Sequence, residues 1–354
     1  FYLYNNKQSM LSAGHYSCEY LLRLYSPSKN SMPQPAKDSS IIYNDQDSAK
    51  KFFSFPTKFE SSHMEYCPLK SGLNIHCDMP NVATILRNEI KSRTGINLGS
   101  RALPEKYQTG EGIFIISGSR ETPELPPDGF RLDISPRRII IRGRNERGCL
   151  FGIYTLVDRL TVKNDVWRFP CVSIKDWPDV KVRVHITEIM PTVLHDVSFF
   201  KRYLAAVSRA RGNTVIFYFY PRHIRQWKAG DSPLWWSKKE MEEISGYARS
   251  LYLDVWAGLS VQLNSKLDKE FDIASGSNFY NPFNPDSYEI LFNGYTEIIR
   301  SCRPSTVLIG HDEMRGLSEY SSLKGTSSAE ILAADINKIH QWLKERNLHT
   351  AVWG

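Results

Sequence analysis

"VLIGHDEMRG", Val307–Gly316, is the stretch on which the reading of the fold turns. Val307, Leu308 and Ile309 suit a buried strand, Gly310 ends it, and His311, Asp312 and Glu313 follow at once. Adjacent carboxylates repel, so a strand tip loaded in this way is either well solvated or built for chemistry. For an arbitrary Asp-Glu pair the ordinary reading is a solvated loop, with Asp312 capping the next segment. Its place at the end of an apolar strand raises the second reading beside the first.

Outward from this tip, strands and helices alternate. Period-two or apolar runs predict strands over 182–188, 213–220, 253–259, 305–310 and 349–354. Helical spacing predicts helices over 196–211, 237–251, 285–302 and 327–347, with Asp196 as an N-cap and Ser237 with Glu240 as a capping box. Such alternation argues for parallel strands joined by crossover helices. The expected fold is α/β: a (β/α)8 TIM-type barrel of which about five βα units are present, or an open sheet of the same units. In a barrel, reactive groups sit at the C-terminal ends of strands, where Asp312 and Glu313 lie. Side chains alternate along a regular strand, so both carboxylates reach one cleft only where the chain turns. One can then protonate a leaving group while the other stays ionised, a division of labour suited to glycosidic cleavage.

Upstream, residues 1–65 read as irregular, with a Ser/Pro/Lys/Asn-rich stretch at 25–40. Residues 66–165 read as a small α+β accessory domain. It has a strand at GLNIHC, a helix ending near Gly95, a strand at 112–118, a hairpin turning at 135–137 and an apolar helix over 149–160. Pro170 and Pro178 mark a connector, and residues 180–354 read as the barrel, incomplete at its C-terminus.

Bulk composition narrows the function. A net charge of +7 is spread along the chain with no basic stretch interleaved with aromatics, so no nucleic-acid partner is expected. No run of eighteen apolar residues predicts a membrane span. The six cysteines form no C-x-x-C pair, which argues against zinc, and Cys67 with Cys77 is the nearest pair for any disulfide. His311 beside Asp312 and Glu313 is the one short metal-like grouping, with too few carboxylates for a hard ion. "GRNERG" (143–148) lacks the G-K-[ST] of a phosphate loop. No metal and no cofactor are expected. A 12% aromatic share suits a sugar cleft. Trp235 and Trp236 either stack on pyranose faces or anchor their loop. His185 reads as a structural, hydrogen-bonded histidine rather than a group inside the barrel.

The sequence resembles glycoside hydrolase family 20, the β-N-acetylhexosaminidases, over roughly residues 70–354. The family's fourth-strand motif H-x-G-G-D-E is similar to Leu308-Ile309-Gly310-His311-Asp312-Glu313. Residues 128–160, with Gly148 and Gly152 opening the helix, resemble the end of the family's accessory domain. Residues 169–183 resemble its link into the first barrel strand, which ends in an Arg like Arg183. "AVWG" (351–354) resembles the fifth strand, whose Trp lines the acetamido pocket.

The resemblance implies a glycosidase that removes terminal β-linked N-acetylhexosamine from glycans by substrate-assisted, retaining catalysis. Asp312 would orient the acetamido N–H and stabilise the oxazolinium intermediate. Glu313 would be the acid and then the base. Trp353 would pack on the acetamido methyl, and His311 and Arg183 would be further substrate-binding residues. It implies a glycan partner and leans toward an extracytoplasmic compartment. The departures are Glu188 in place of an Asp and Met190-Pro191 in place of the sugar-gripping Arg. "IFYFYP" (216–221) replaces an H-W-H run, and the motif's His and second Gly are Leu308 and His311. They keep an alternative open, a barrel that binds carbohydrate or cleaves a different glycoside.

Overall fold

The computed structural model describes residues 2–3, 11–12, 58–107, 110–118, 122–189, 196–219, 236–261 and 271–353. The chain divides into two compact units with the boundary between Lys181 and Val182, Arg209–Arg211 grouping with the first.

Among the described residues the first unit is a mixed eight-stranded sheet with two helices. Its elements are β1 (Phe59–Pro68), β2 (Asn74–His76), α1 (Pro80–Thr94), β3 (Gly99–Arg101), β4 (Gly112–Ser117), β5 (Phe130–Ser135), β6 (Arg138–Gly143), α2 (Glu146–Asp158), β7 (Thr161–Lys163) and β8 (Val166–Asp176). The strand order is β1-β8-β5-β6-β4-β2-β3, with β7 paired to β8. Proline opens α1 and Gly95 closes it at φ 74°, a left-handed cap that glycine takes without a Cβ clash. Asn145 caps α2 by accepting from the Gly148 amide at 2.8 Å. The small-residue face of α2 is needed for its seat on the sheet. A Cβ at Gly148 would collide with the Gly129 carbonyl, and one at Gly152 would lie 2.6 Å from Ile141 Cγ2.

This sheet extends beyond the span 66–165 at both ends. The expected connector is strand β8, running antiparallel between β1 and β5. Pro170 made it look like a boundary. In the structure the β1 pairing shifts register between Pro170 and Val172, and such a bulge is where a strand tolerates a residue without an amide hydrogen.

The second unit carries β9 (Val184–Ile189), α3 (Val197–Arg209), β10 (Thr214–Phe219), α4 (Lys238–Ser250), β11 (Asp254–Leu259), α5 (Pro285–Cys302), β12 (Thr306–Leu308), α6 (Leu317–Lys324), α7 (Ser328–Lys344) and β13 (His349–Ala351). The five strands are all parallel and lie in sequence order. Capping follows the sequence. Asp196 accepts from the Ser198 amide at 2.8 Å, and Ser237 with Glu240 and Ser327 with Glu330 form capping boxes. Helix α6 was not foreseen; it begins at Gly316 with no side-chain cap and buries only Tyr320.

The two faces of this sheet differ. Phe217 and Phe219 of β10, Val255 and Leu259 of β11 and Val307 of β12 are buried on one side. Phe200 of α3 packs there on Phe217 at 6.0 Å. The other face is a smaller cluster of Ile216, Tyr218 and Leu308, flanked by half-buried Val184, Ile186, Trp256 and Ala351. No helix among the described residues is long and apolar enough to cross a membrane.

Candidate active site

The parallel register aligns Glu188, Tyr218, Gly258, Leu308 and Ala351 in one row across the sheet. They occupy the second, less covered face, near the C-terminal ends of their strands. Tyr218 is the large member of that row. Its ring lies over Gly258, where any Cβ would collide with Cδ2, and a Cβ at Gly310 would lie 3.2 Å from its hydroxyl. Gly258 of the neighbouring strand and Gly310 of the loop after β12 thus make the space that the tyrosine fills.

The Tyr218 hydroxyl is a hub. Burial pushes its pKa up to about 12, the Asp312 charge adds to this, hydrogen bonds with Trp353 and Ser260 oppose it, and Glu188 raises it slightly. Trp353 meets the Tyr218 ring edge-on at 6.5 Å and 68°. Its amide donates to the Gly310 carbonyl at 3.2 Å, which ties the end of β13 to the loop after β12. Trp353 as a residue is 38% exposed.

Asp312 and Glu313 follow from the turn that begins at Gly310. Gly310, His311 and Glu313 have φ of 80°, 75° and 45°, a left-handed run that ends β geometry abruptly. The alternation of faces is broken there, as the two carboxylates required. Asp312 is half-buried with Oδ1 out of solvent, and Glu313 is exposed. The loop is stitched to a neighbouring segment. Asn278 Nδ2 donates to the Glu313 carbonyl at 3.2 Å, and the Arg315 amide donates to Asn278 Oδ1 at 2.7 Å. The Ser277 hydroxyl donates to the Arg315 carbonyl at 2.9 Å.

Of the expected site residues, Asp312, Glu313 and Trp353 gather at this end of the sheet. His311 and Arg183 do not join them there. The His311 side chain is turned inward and is 1% exposed, with both ring nitrogens engaged by protein groups. Arg183 immediately precedes β9, where its amide donates to Asn213 Oδ1 at 2.8 Å. Six strand residues at about 3.3 Å each separate it from the other end of the sheet. His185 points to the helix side, edge-on to Tyr203 at 4.9 Å, and burial pushes its pKa down to about 4. Trp236 is 3% exposed and packs on Phe200 at 5.3 Å; Trp235, Met190 and Pro191 lie outside the described residues. Cys67 and Cys77 are free buried thiols rather than a bridge. Among the described residues no group of three or more His, Cys, Asp or Glu side chains is placed to hold a metal ion.

Tyr218 stood out in the sequence only as a tyrosine on a strand with one face open to the barrel interior, and Ser260 and Asn278 gave no sign of belonging to this site. A signal existed for Tyr218: on a strand with parallel neighbours, its partners at the same level include glycine at 258.

Residues 56–177 match the family model for glycosyl hydrolase family 20, domain 2. That stretch is similar in sequence to a family 20 domain 2. Solved structures extend the likeness beyond that domain, each covering 84% of this chain. Flavobacterium johnsoniae chitobiase matches at a TM-score of 0.68 and 18% identity, with 51% of its own chain covered. The family 20 exo-β-N-acetylglucosaminidase of Vibrio harveyi, in complex with N-acetylglucosamine, matches at 0.67 and 16%, with 54% covered. The β-N-acetylhexosaminidase of Bacteroides fragilis matches at 0.66 and 18%, with 65% covered. The present chain thus spans about half to two thirds of these family 20 proteins. At such identities the likeness carries the fold of the second unit, not its chemistry. No curated protein matches the sequence.

Proposed function

We propose that this chain is the accessory domain and part of the catalytic barrel of a family 20 glycosidase that removes terminal β-linked N-acetylhexosamine. The five parallel strands are five of the eight of a (β/α)8 barrel. One observation carries the reading. A half-buried carboxylate, Asp312, stands with Tyr218 and a partly exposed Trp353 at the strand ends, and the next residue, Glu313, is open to solvent.

The chemistry follows from those environments. The 2-acetamido oxygen of the sugar attacks its own anomeric carbon, an alternative to the scheme with an enzyme nucleophile. Asp312, ionised, accepts from the acetamido N–H and stabilises the cationic ring as it forms. Glu313 gives its proton to the leaving oxygen and then takes one from the attacking water. Trp353 supplies an apolar wall for the acetamido methyl, with its edge fixed by Tyr218.

The test is release of 4-nitrophenol from its β-N-acetylglucosaminide and β-N-acetylgalactosaminide by the full-length protein, with the plain β-glucoside as control. Cleavage confined to acetamido sugars supports neighbouring-group catalysis. Turnover of the plain glucoside at a similar rate, or of none of the three, overturns the reading.

A further inference from the structure

Behind the strand tip lies a buried polar cluster that the reaction above does not use. His311 Nδ1 is 3.0 Å from the Ile309 carbonyl oxygen, and Nε2 is 2.6 Å from Asp335 Oδ2. A carbonyl only accepts, so Nδ1 carries a hydrogen. Asp335, on α7, is 1% exposed. Its carboxylate also accepts from the Tyr280 hydroxyl, 2.7 Å from each oxygen, and from the Tyr288 hydroxyl at 2.6 Å. Phe279 closes on the imidazole edge-on at 5.9 Å. One carboxylate thereby joins α7, α5, the segment before α5 and the loop after β12.

Such a cluster is a poor way to gain stability. Apolar side chains of the same volume would pack there without the cost of burying a carboxylate. What it does supply is a fixed point. His311 holds a left-handed backbone at φ 75°, uncommon for a residue with a side chain, so contacts that hold the ring also help to hold the turn. The ring is pinned at two points, and the next residue is Asp312.

We propose that His311 is a positioning residue: tethered by Asp335, it fixes the left-handed turn that presents Asp312 and Glu313. The inference rests on the catalytic reading of that pair. It replaces a sugar-contacting role for His311 with one exerted through the backbone.

Two variants of the full-length protein test it. His311→Gly keeps the left-handed freedom and removes the tether. Asp335→Asn keeps the volume and alters the imidazole's partner; if that variant does not fold, His311→Gly alone carries the test. The first readout is amide hydrogen exchange over residues 312–316, which needs no catalysis. Exchange there is expected to rise at least about tenfold in both variants while strands β10 and β11 stay protected. The second readout is the kcat–KM split on 4-nitrophenyl β-N-acetylglucosaminide. A loosened turn should lower kcat by roughly 10²-fold with KM little changed, because Tyr218 and Trp353 still form the binding surface. Unchanged exchange in His311→Gly overturns the tether whether or not the protein is active. Faster exchange with undiminished kcat overturns the positioning role. Faster exchange in a protein whose unaltered form cleaves no acetamido sugar supports the tether and overturns the catalytic reading.

Discussion

Gly258 lies beneath the ring of Tyr218, so close that no side chain fits between them. The two residues sit at the same level of adjacent parallel strands. Gly258→Ala should therefore destabilise the protein by about 1–3 kcal/mol, the usual range for overpacking a filled site. Tyr218→Ala should relieve most of that added cost. Denaturant unfolding of both single variants and the double variant measures the coupling, and simple additivity would show that the ring does not rest on residue 258.

Glu313 tests the acid–base assignment. Glu313→Gln should lower kcat by roughly 10²–10⁴-fold on substrates with poor leaving groups. A highly activated leaving group needs little protonation, so the loss should shrink there. Equal loss on both substrate types would remove Glu313 from the role of proton donor.

The Tyr218 phenol should titrate at about 12, held there by burial first and by the Asp312 charge second. In Asp312→Asn the second cause disappears, and the midpoint should fall while staying above the ordinary value of 10.0. The folded state keeps this proton where the unfolded chain has lost it. Stability from this group is therefore complete below pH 10 and is lost as pH rises toward 12. Phenolate absorbance compared with Tyr218→Phe isolates the group, and an unmoved midpoint in Asp312→Asn would separate the two side chains.

His185 gives the opposite pH slope. Its folded value of about 4 lies below the ordinary 6.5, so unfolding takes up a proton between them. Its contribution is complete above 6.5 and falls as the solution is acidified toward 4, by at most about 1.4 kcal/mol per pH unit. His185→Phe should flatten the dependence of the denaturant midpoint in that window. An unchanged slope would mean that the imidazole is not protonated on unfolding.

Much of this architecture was legible because period and capping chemistry agreed. Residues 285–302 read as a helix and form one with those bounds, and Ser237 with Glu240 announced α4. Strand β8 was misread because Pro170 is a local breaker signal, and only the register with β1 shows that it occupies a bulge. At the site, Asp312 and Glu313 stood out as adjacent carboxylates. Asp335 did not, because nothing in the spacing of a helix reveals that one of its carboxylates will face a histidine 24 positions earlier. Arg183 was placed by the resemblance of the link before it, and in the structure the whole of β9 lies between it and the far end of the sheet.

Among the described residues the buried thiols divide between the two units, with Cys67, Cys77, Cys149 and Cys171 in the first and Cys302 in the second. Burial pushes Cys67 and Cys77 up to about 11, and Cys149 and Cys302 up to about 12. At neutral pH each is a protonated, enclosed thiol that an alkylating reagent reaches only when its surroundings open. Pulsed alkylation followed by peptide mass analysis would thus turn Cys302 into a reporter for the opening of the parallel sheet. The other four would time the opening of the mixed sheet. The order in which the two come apart is written into the chain as a set of built-in labels.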